Sequence, residues 1–241
     1  MLERITPVVK NLLIINVLVY IAQQAIPYPE LPGGITEYLG IHYFDSADFM
    51  PVQIVTNMFM HGSIMHLMFN MYGVFLFGSA IESRLGSAKF LQYFLFCGLG
   101  AVLLHVGVNA LSVYNLTGGF TIDPELAKQF AEVRRDGMMF TDPDTNKLFG
   151  QYISYAIGAS GALFGLLFAF GRMFPNVELM LLFFPVPIKA KYFVAGYAAI
   201  ELFAGVTRIP GDNIAHFAHL GGMLFGYLFL KFAGGSKFQQ W

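Results

Sequence analysis

Residues 49–81 read FMPVQIVTNMFMHGSIMHLMFNMYGVFLFGSAI, a run without one charged side chain. A helix needs about 20 mostly apolar residues to cross a hydrocarbon core about 30 Å thick, so this run holds one span with part of its loops. Working outward, residues 11–29, 90–122, 148–171 and 213–230 are charge-free as well. Residues 192–207 form a weaker candidate interrupted by Glu201, and the apolar run 179–188 before it is broken by Pro185 and Pro187. The spacing predicts six transmembrane helices over residues 11–28, 52–80, 88–113, 151–172, 190–207 and 213–232. The fold class expected is therefore all-α, a polytopic membrane bundle in a single domain, with an insert at residues 114–150 between the third and fourth helices.

Composition points the same way. The 241 residues are 56% hydrophobic and only 12% charged, against about 25% charged in ordinary soluble domains. That leaves too few polar groups to cover a water-facing surface. The net charge of −1 comes from 14 basic and 15 acidic residues without a basic block, which disfavours both disorder and a nucleic-acid partner. A single cysteine, Cys97, excludes an intrachain disulfide framework.

Cytoplasmic loops are enriched in Lys and Arg. With the N-terminus inside, six spans put Arg4, Lys10, Arg84, Lys89, Arg172, Lys189, Lys191, Lys231 and Lys237 inside, and Lys128, Arg134, Arg135, Lys147 and Arg208 outside. The expected topology is N-in and C-in. The first apolar run lacks a clear small-residue cleavage site, since Gln23 and Gln24 precede Ala25, so it reads as a retained helix and not a signal peptide. The short N-terminus, without an Arg-rich amphipathic leader, fits a bacterial cytoplasmic membrane better than a mitochondrion. In the insert, Asp123 reads as an N-cap with Pro124 at the first helical position, and Leu126, Phe130 and Val133 share one face of a helix lying at the membrane surface. Asp142, Asp144 and Asn146 have the spacing that opens a calcium loop, but Lys147 takes the place of the turn glycine and Ile153 that of the final Glu. A solvated turn is the expectation there.

Polar side chains at membrane depth are costly and mark cavities or sites, so the informative residues are those that break the apolar runs. Three clusters do so: His61, Ser63, His66 and Asn70; Gly158-Ala-Ser160-Gly161; and His216-Phe-Ala-His219-Leu-Gly-Gly222. At about 1.5 Å of rise per residue, Ser160 lies about 18 Å above Arg172, Asn70 as far above Glu82, and His219 about 9 Å below Asn213. The three clusters thus fall in one layer, roughly 10 Å below the outer surface. Gly158, Gly161, Ala162 and Gly165 give the fourth helix a small-residue face, and Gly222 with Gly226 form a GxxxG on the sixth. If those faces meet, Ser160 and His219 come within hydrogen-bond reach.

A serine hydroxyl becomes a nucleophile when a neutral imidazole takes its proton. Asn70, His66 and the backbone N–H of Ser160 are the candidate donors for the oxyanion formed on attack. Gly158 and Gly161 remove Cβ atoms that would crowd the approaching carbonyl. No acid is placed to orient His219, Asp212 being two turns away, so the arrangement reads as a dyad. Each cluster alone has a blander reading: G-A-S-G is a common packing face, and His216 and His219 could hold a metal with His61 and His66. His216, nearer the aqueous boundary, reads as structural, and His42 and His105 have no clustered partner. Glu201 is expected to find a polar partner in the bundle.

Taken together and in order, HGSIMHLMFN, GASGALFG and AHLGG resemble the signature regions of the rhomboid intramembrane serine proteases. The resemblance covers about residues 12–230. It implies Ser160 as nucleophile, His219 as general base, His66 and Asn70 as oxyanion donors, His61 as a structural histidine and Phe164 as an aromatic packed near the base. Glu82-Ser-Arg84-Leu-Gly86 is similar to the family's turn after the second span. The 114–150 insert is the main departure and bears on substrate access. The implied activity is hydrolysis of peptide bonds in or near transmembrane segments of protein substrates, with the lipid bilayer as the other partner and no cofactor or metal. A different class of function, a non-proteolytic membrane protein that binds a metal or transmembrane helices through the same cluster, is the alternative.

Overall fold

The computed structural model describes residues 5–26, 33–181, 184–207 and 215–233. Expectations placed on Arg4, Arg208, Asp212, Asn213 and Lys237 lie outside the described residues.

Apolar periodicity produces six principal helices: α1 (Pro7–Ala25), α4 (Ile64–Leu85), α5 (Ser87–Thr117), α8 (Ser160–Met173), α9 (Ala190–Thr207) and α10 (His216–Phe232). Between them run α2 (Gly34–Leu39), β1 (Ile41–His42), α3 (Gln53–Thr56), a 3-10 turn at Asn57–Phe59, α6 (Pro124–Arg135), α7 (Pro143–Ile153), β2 (Tyr155–Ala156), β3 (Glu178–Leu181) and β4 (Phe184–Lys189). By length and composition α1, α4 and α5 are long and apolar enough to cross a membrane, and α8 is a shorter apolar helix. Their outward faces are apolar: Leu18 and Ile21 on α1, Met68, Phe69 and Tyr72 on α4, Leu103 on α5, and Phe203 and Val206 on α9 are all exposed. Faces of that size are the surface a helix presents to lipid. The fold is an all-α membrane bundle.

Its core lies where α10 packs between α5 and α8, with α4 and α1 closing one side and α9 the other. Glycines set the spacing. A Cβ on Gly222 would sit 1.8 Å from the Gly161 carbonyl oxygen, and one on Gly165 would sit 2.4 Å from the Cys97 sulfur. Tyr93 of α5 donates to the Gly165 carbonyl at 2.6 Å, tying α5 to the same crossing. At the opposite end from the Ser160 tip of α8, Gly86 turns the chain at φ 79°, and Glu82 accepts from the backbone N–H groups of Val8 and Val9 at 3.1 and 3.0 Å. A carboxylate on the first turn of α1 satisfies donors that the helix itself leaves open.

Two sequence expectations change. The second helix, expected over 52–80, starts at Ile64, because Ser63 is extended and caps it by accepting from His66 N–H at 3.1 Å. The prolines of the 179–188 run stand, as read, where no helix continues: β3 and β4 pair antiparallel, Leu179 with Ile188 and Leu181 with Phe184. Asp142 opens α7 and accepts from Thr145 N–H at 2.8 Å, so it is a helix cap and not a solvated turn. Asp123 caps α6, accepting from Glu125 and Leu126. Phe130 is fully buried in a second apolar core with Tyr43, Val113, Ile122, Phe149 and Tyr152. The insert and the α2–α3 segment are thereby one loop layer over the Ser160 end of the bundle. Arg134 fastens it, ion-paired with Glu37 and, at 2.5 Å, with Asp48.

Candidate active site

Ser160 does not sit within a helix, as the expected 151–172 span had it; it begins one. Tyr155 and Ala156 pair antiparallel with His42 and Ile41, and the chain then turns at Gly158, φ 117°, whose N–H donates to the Asn57 carbonyl at 2.8 Å. Only glycine adopts that backbone readily. Ser160 is therefore at the positive end of α8, where the first-turn N–H groups have no intrahelical acceptor.

The first turn of α10 carries His219, 8% exposed, with Nε2 2.9 Å from Ser160 Oγ. The ring is held from one face by Phe164, one turn below Ser160, at a centroid distance of 4.0 Å and an interplanar angle of 4°. The Gly161–Gly222 approach brings the two helices near enough for that bond.

Beside Ser160, a Cβ on Gly158 would lie 2.8 Å from His66 Nε2 and 3.6 Å from Asn70 Nδ2. The missing side chain leaves a small space lined by two side-chain nitrogens. Asn70 is 3% exposed and its Nδ2 has no hydrogen-bond partner among the described residues, an unusual state for a buried donor. Gly161, expected to make room for substrate, instead makes room for α5: its Cβ would fall 2.3 Å from the Ala101 Cβ. His61 is 1% exposed, hydrogen-bonded through Nδ1 to the Phe59 carbonyl at 3.2 Å, with its ring edge-on to His66 at 5.1 Å.

Glu201 finds the polar partner expected of it, but the expectation that no acid stands near His219 fails, and so does that of an isolated His105. Glu201 of α9 puts Oε2 3.0 Å from His219 Nδ1, off the line of the ring N–H, and 2.7 Å from His216 Nδ1. An acid does stand behind His219; only the α9–α10 packing reveals it. His105, expected to be isolated, contacts Asn109 at 3.3 Å and lines a cavity of about 30 Å³ together with Ser160, Gly158 and Ala218. That is room for about one water.

Over the site, burial pushes the Tyr155 phenol above its ordinary value, with Arg134 opposing the shift. Burial likewise holds the His42 imidazole below its ordinary value, opposed by Asp48 and the Gly40 carbonyl. Glu37, His42 and Asp48 lie close enough to suggest a metal cluster, but Arg134 is already the cation between the two carboxylates.

A hydroxyl at a helix N-terminus, hydrogen-bonded to an imidazole and facing unpaired donors, is an arrangement suited to acyl transfer. The Rhomboid domain model matches residues 48–235, a stretch that contains Asn70, Ser160 and His219. The chain belongs to the rhomboid family. It is similar to Rhomboid protein 1, mitochondrial, of Saccharomyces cerevisiae, at 26% identity over 178 residues covering 74% of this chain and 40% of that protein. RHOMBOID-like protein 12, mitochondrial, of Arabidopsis thaliana is 28% identical over 174 residues, covering 70% of this chain and 42% of that protein. The chain thus spans about two fifths of the length of these relatives. Rhomboid membership makes it an integral membrane protein of a family associated with intramembrane proteolysis.

Proposed function

We propose that this rhomboid is an intramembrane serine endopeptidase that cleaves transmembrane protein substrates through Ser160 and His219. The observation that carries the reading is the 2.9 Å contact of His219 Nε2 with Ser160 Oγ at the N-terminus of α8. In this mechanism His219 takes the Ser160 proton as Oγ attacks the scissile carbonyl. The oxyanion forms in the space beside Gly158, facing Asn70 Nδ2, His66 and the Ser160 N–H, and the α8 dipole favours the same negative charge. On collapse of the tetrahedral intermediate, His219 returns its proton to the leaving amine, and an acyl ester remains on Ser160. Water, deprotonated by His219, then releases the new carboxyl terminus.

A helical substrate hides its carbonyls in hydrogen bonds, so it must unwind locally before attack; Gly or Pro near the cut lowers that cost. The topology that accompanies this reading is six spans, α1, α4, α5, α8, α9 and α10, with both termini cytoplasmic and the site opening to the opposite side beneath the loop layer. Both named relatives are mitochondrial, and fractionation of the native host decides between an organellar membrane and a bacterial cytoplasmic one.

The test is cleavage of a panel of transmembrane substrates in proteoliposomes, with the cut mapped by mass spectrometry. Cuts within or beside the hydrophobic segment, lost in Ser160→Ala and in His219→Ala while both variants still insert, are expected. One observation favours a second reading: ligand atoms of Glu201, His216 and His219 lie within 4.8 Å of one another and could hold a metal ion. Stoichiometric metal in purified protein together with no cleavage would favour it.

A further inference from the structure

We infer that Glu201 is a positioning residue for His219, converting the expected dyad into a Ser160–His219–Glu201 relay held across three helices. The inference rests on the protease reading above. An imidazole serves as base only if the nitrogen facing the nucleophile carries the lone pair, which requires the proton on the other nitrogen. Nε2 faces Ser160 at 2.9 Å. Nδ1 is buried, has no aligned hydrogen bond, and has Glu201 Oε2 at 3.0 Å as its nearby acceptor. A carboxylate there selects the Nδ1-protonated tautomer and faces the positive charge that appears on the ring when Ser160 gives up its proton.

The burial of the acid supports this. Glu201 is 6% exposed in α9, a helix whose other face is apolar and outward, and a carboxylate in such a place is retained only with partners. Those partners are two histidines of the first turn of α10, both approached by the same oxygen, Oε2. His216 Nδ1, at 2.7 Å, anchors the carboxylate; His219 Nδ1 is the group it acts on. Phe164, stacked on one face of the ring at 4.0 Å, restrains its rotation about the Cβ–Cγ bond and holds Nε2 toward Ser160. A small rotation of the carboxylate would bring Oε2 into line with Nδ1–H. Catalytic hydrogen bonds that are poorly aligned at rest commonly tighten when substrate is bound.

The experiment uses the full chain in proteoliposomes with a cleavable transmembrane substrate, kcat being referred to fluorophosphonate-titrated sites. Glu201→Gln is expected to lower kcat about 10- to 100-fold with KM within about twofold, less than the roughly 10⁴-fold loss when a well-aligned, fully buried acid is neutralised in a serine protease. Glu201→Asp should recover part of the loss. Should Glu201→Gln fail to fold, ¹⁵N-histidine spectra of the wild-type protein provide the second readout: His219 protonated on Nδ1 is expected at rest. Unchanged kcat in Glu201→Gln, or a resting His219 protonated on Nε2, would overturn the inference. Wild-type cleavage with an inactive Ser160→Ala and a fully active Glu201→Gln sinks this inference alone; cleavage that survives Ser160→Ala sinks the protease reading itself.

Discussion

Asn70→Ala separates a catalytic donor from a structural one, because the two roles move stability in opposite directions. Asn70 is 3% exposed and its Nδ2 has no partner among the described residues. A buried donor left unpaired costs about 1–3 kcal/mol, so its removal relieves a penalty that offsets the small cavity left behind. Net stability should change by no more than about 1 kcal/mol. Catalysis should fall much further. A Cβ on Gly158 would meet His66 Nε2 at 2.8 Å and Asn70 Nδ2 at 3.6 Å, so these nitrogens border the space assigned to the oxyanion. Loss of one such donor costs about 10²–10³ in kcat, or about 2.7–4 kcal/mol, and the remaining donors keep the residual activity above zero. KM should barely move, since the bond is made only in the transition state. The assay pairs cleavage kinetics with thermal unfolding in the same detergent. A loss of more than about 2 kcal/mol of stability with less than a tenfold drop in kcat would refute the reasoning and make Asn70 a core amide.

Other consequences follow from the packing and the loop layer. Gly222→Leu places side-chain atoms where the Gly161 carbonyl now sits; it should part α8 from α10 and abolish cleavage, whereas Gly107→Ala, on an open face of α5, should leave cleavage within about twofold of wild type. Arg134→Ala leaves Glu37, with a 3% exposed side chain, facing Asp48 without a cation; it should cost about 2–3 kcal/mol and loosen residues 33–59 and 122–156 in hydrogen exchange while fluorophosphonate labelling persists. Burial holds His42 below its ordinary value, so the folded segment favours the neutral imidazole. As pH falls through the ordinary histidine range the unfolded segment takes a proton that the folded one rejects, so loop-layer stability, full above that range, declines below it. Exchange at Ile41 and Ala156, corrected for intrinsic rates, should be faster at pH 5 than at pH 7.5, and His42→Gln should remove the difference. Equal protection at both pH values would contradict this.

Much of the architecture was legible because lipid constrains composition so strongly. Charge-free runs marked the principal helices, and the Gly161, Gly165, Gly222 and Gly226 faces announced the α8–α10 crossing that brings Ser160 to His219. What escaped depended on contacts distant in sequence. The start of α8 at Ser160 depends on a bridge between residues 41–42 and 155–156, and a lone glycine within an apolar run does not disclose a φ of 117°. The Glu201–His219 contact joins residues of α9 and α10 whose facing sides only tertiary packing fixes. Asp142-Pro143, by contrast, was readable: it repeats the Asp123-Pro124 pattern that correctly opened α6, and the calcium-loop comparison obscured it.

The central claim is that Ser160 is a nucleophile activated by His219. A fluorophosphonate probe incubated with the purified, folded protein tests it directly, with the labelled peptide sequenced by mass spectrometry. The account predicts one adduct, on Ser160, absent from Ser160→Ala and strongly reduced in His219→Ala. A wild-type protein that cleaves its substrate without labelling at Ser160, or labelling that survives Ser160→Ala, would contradict it.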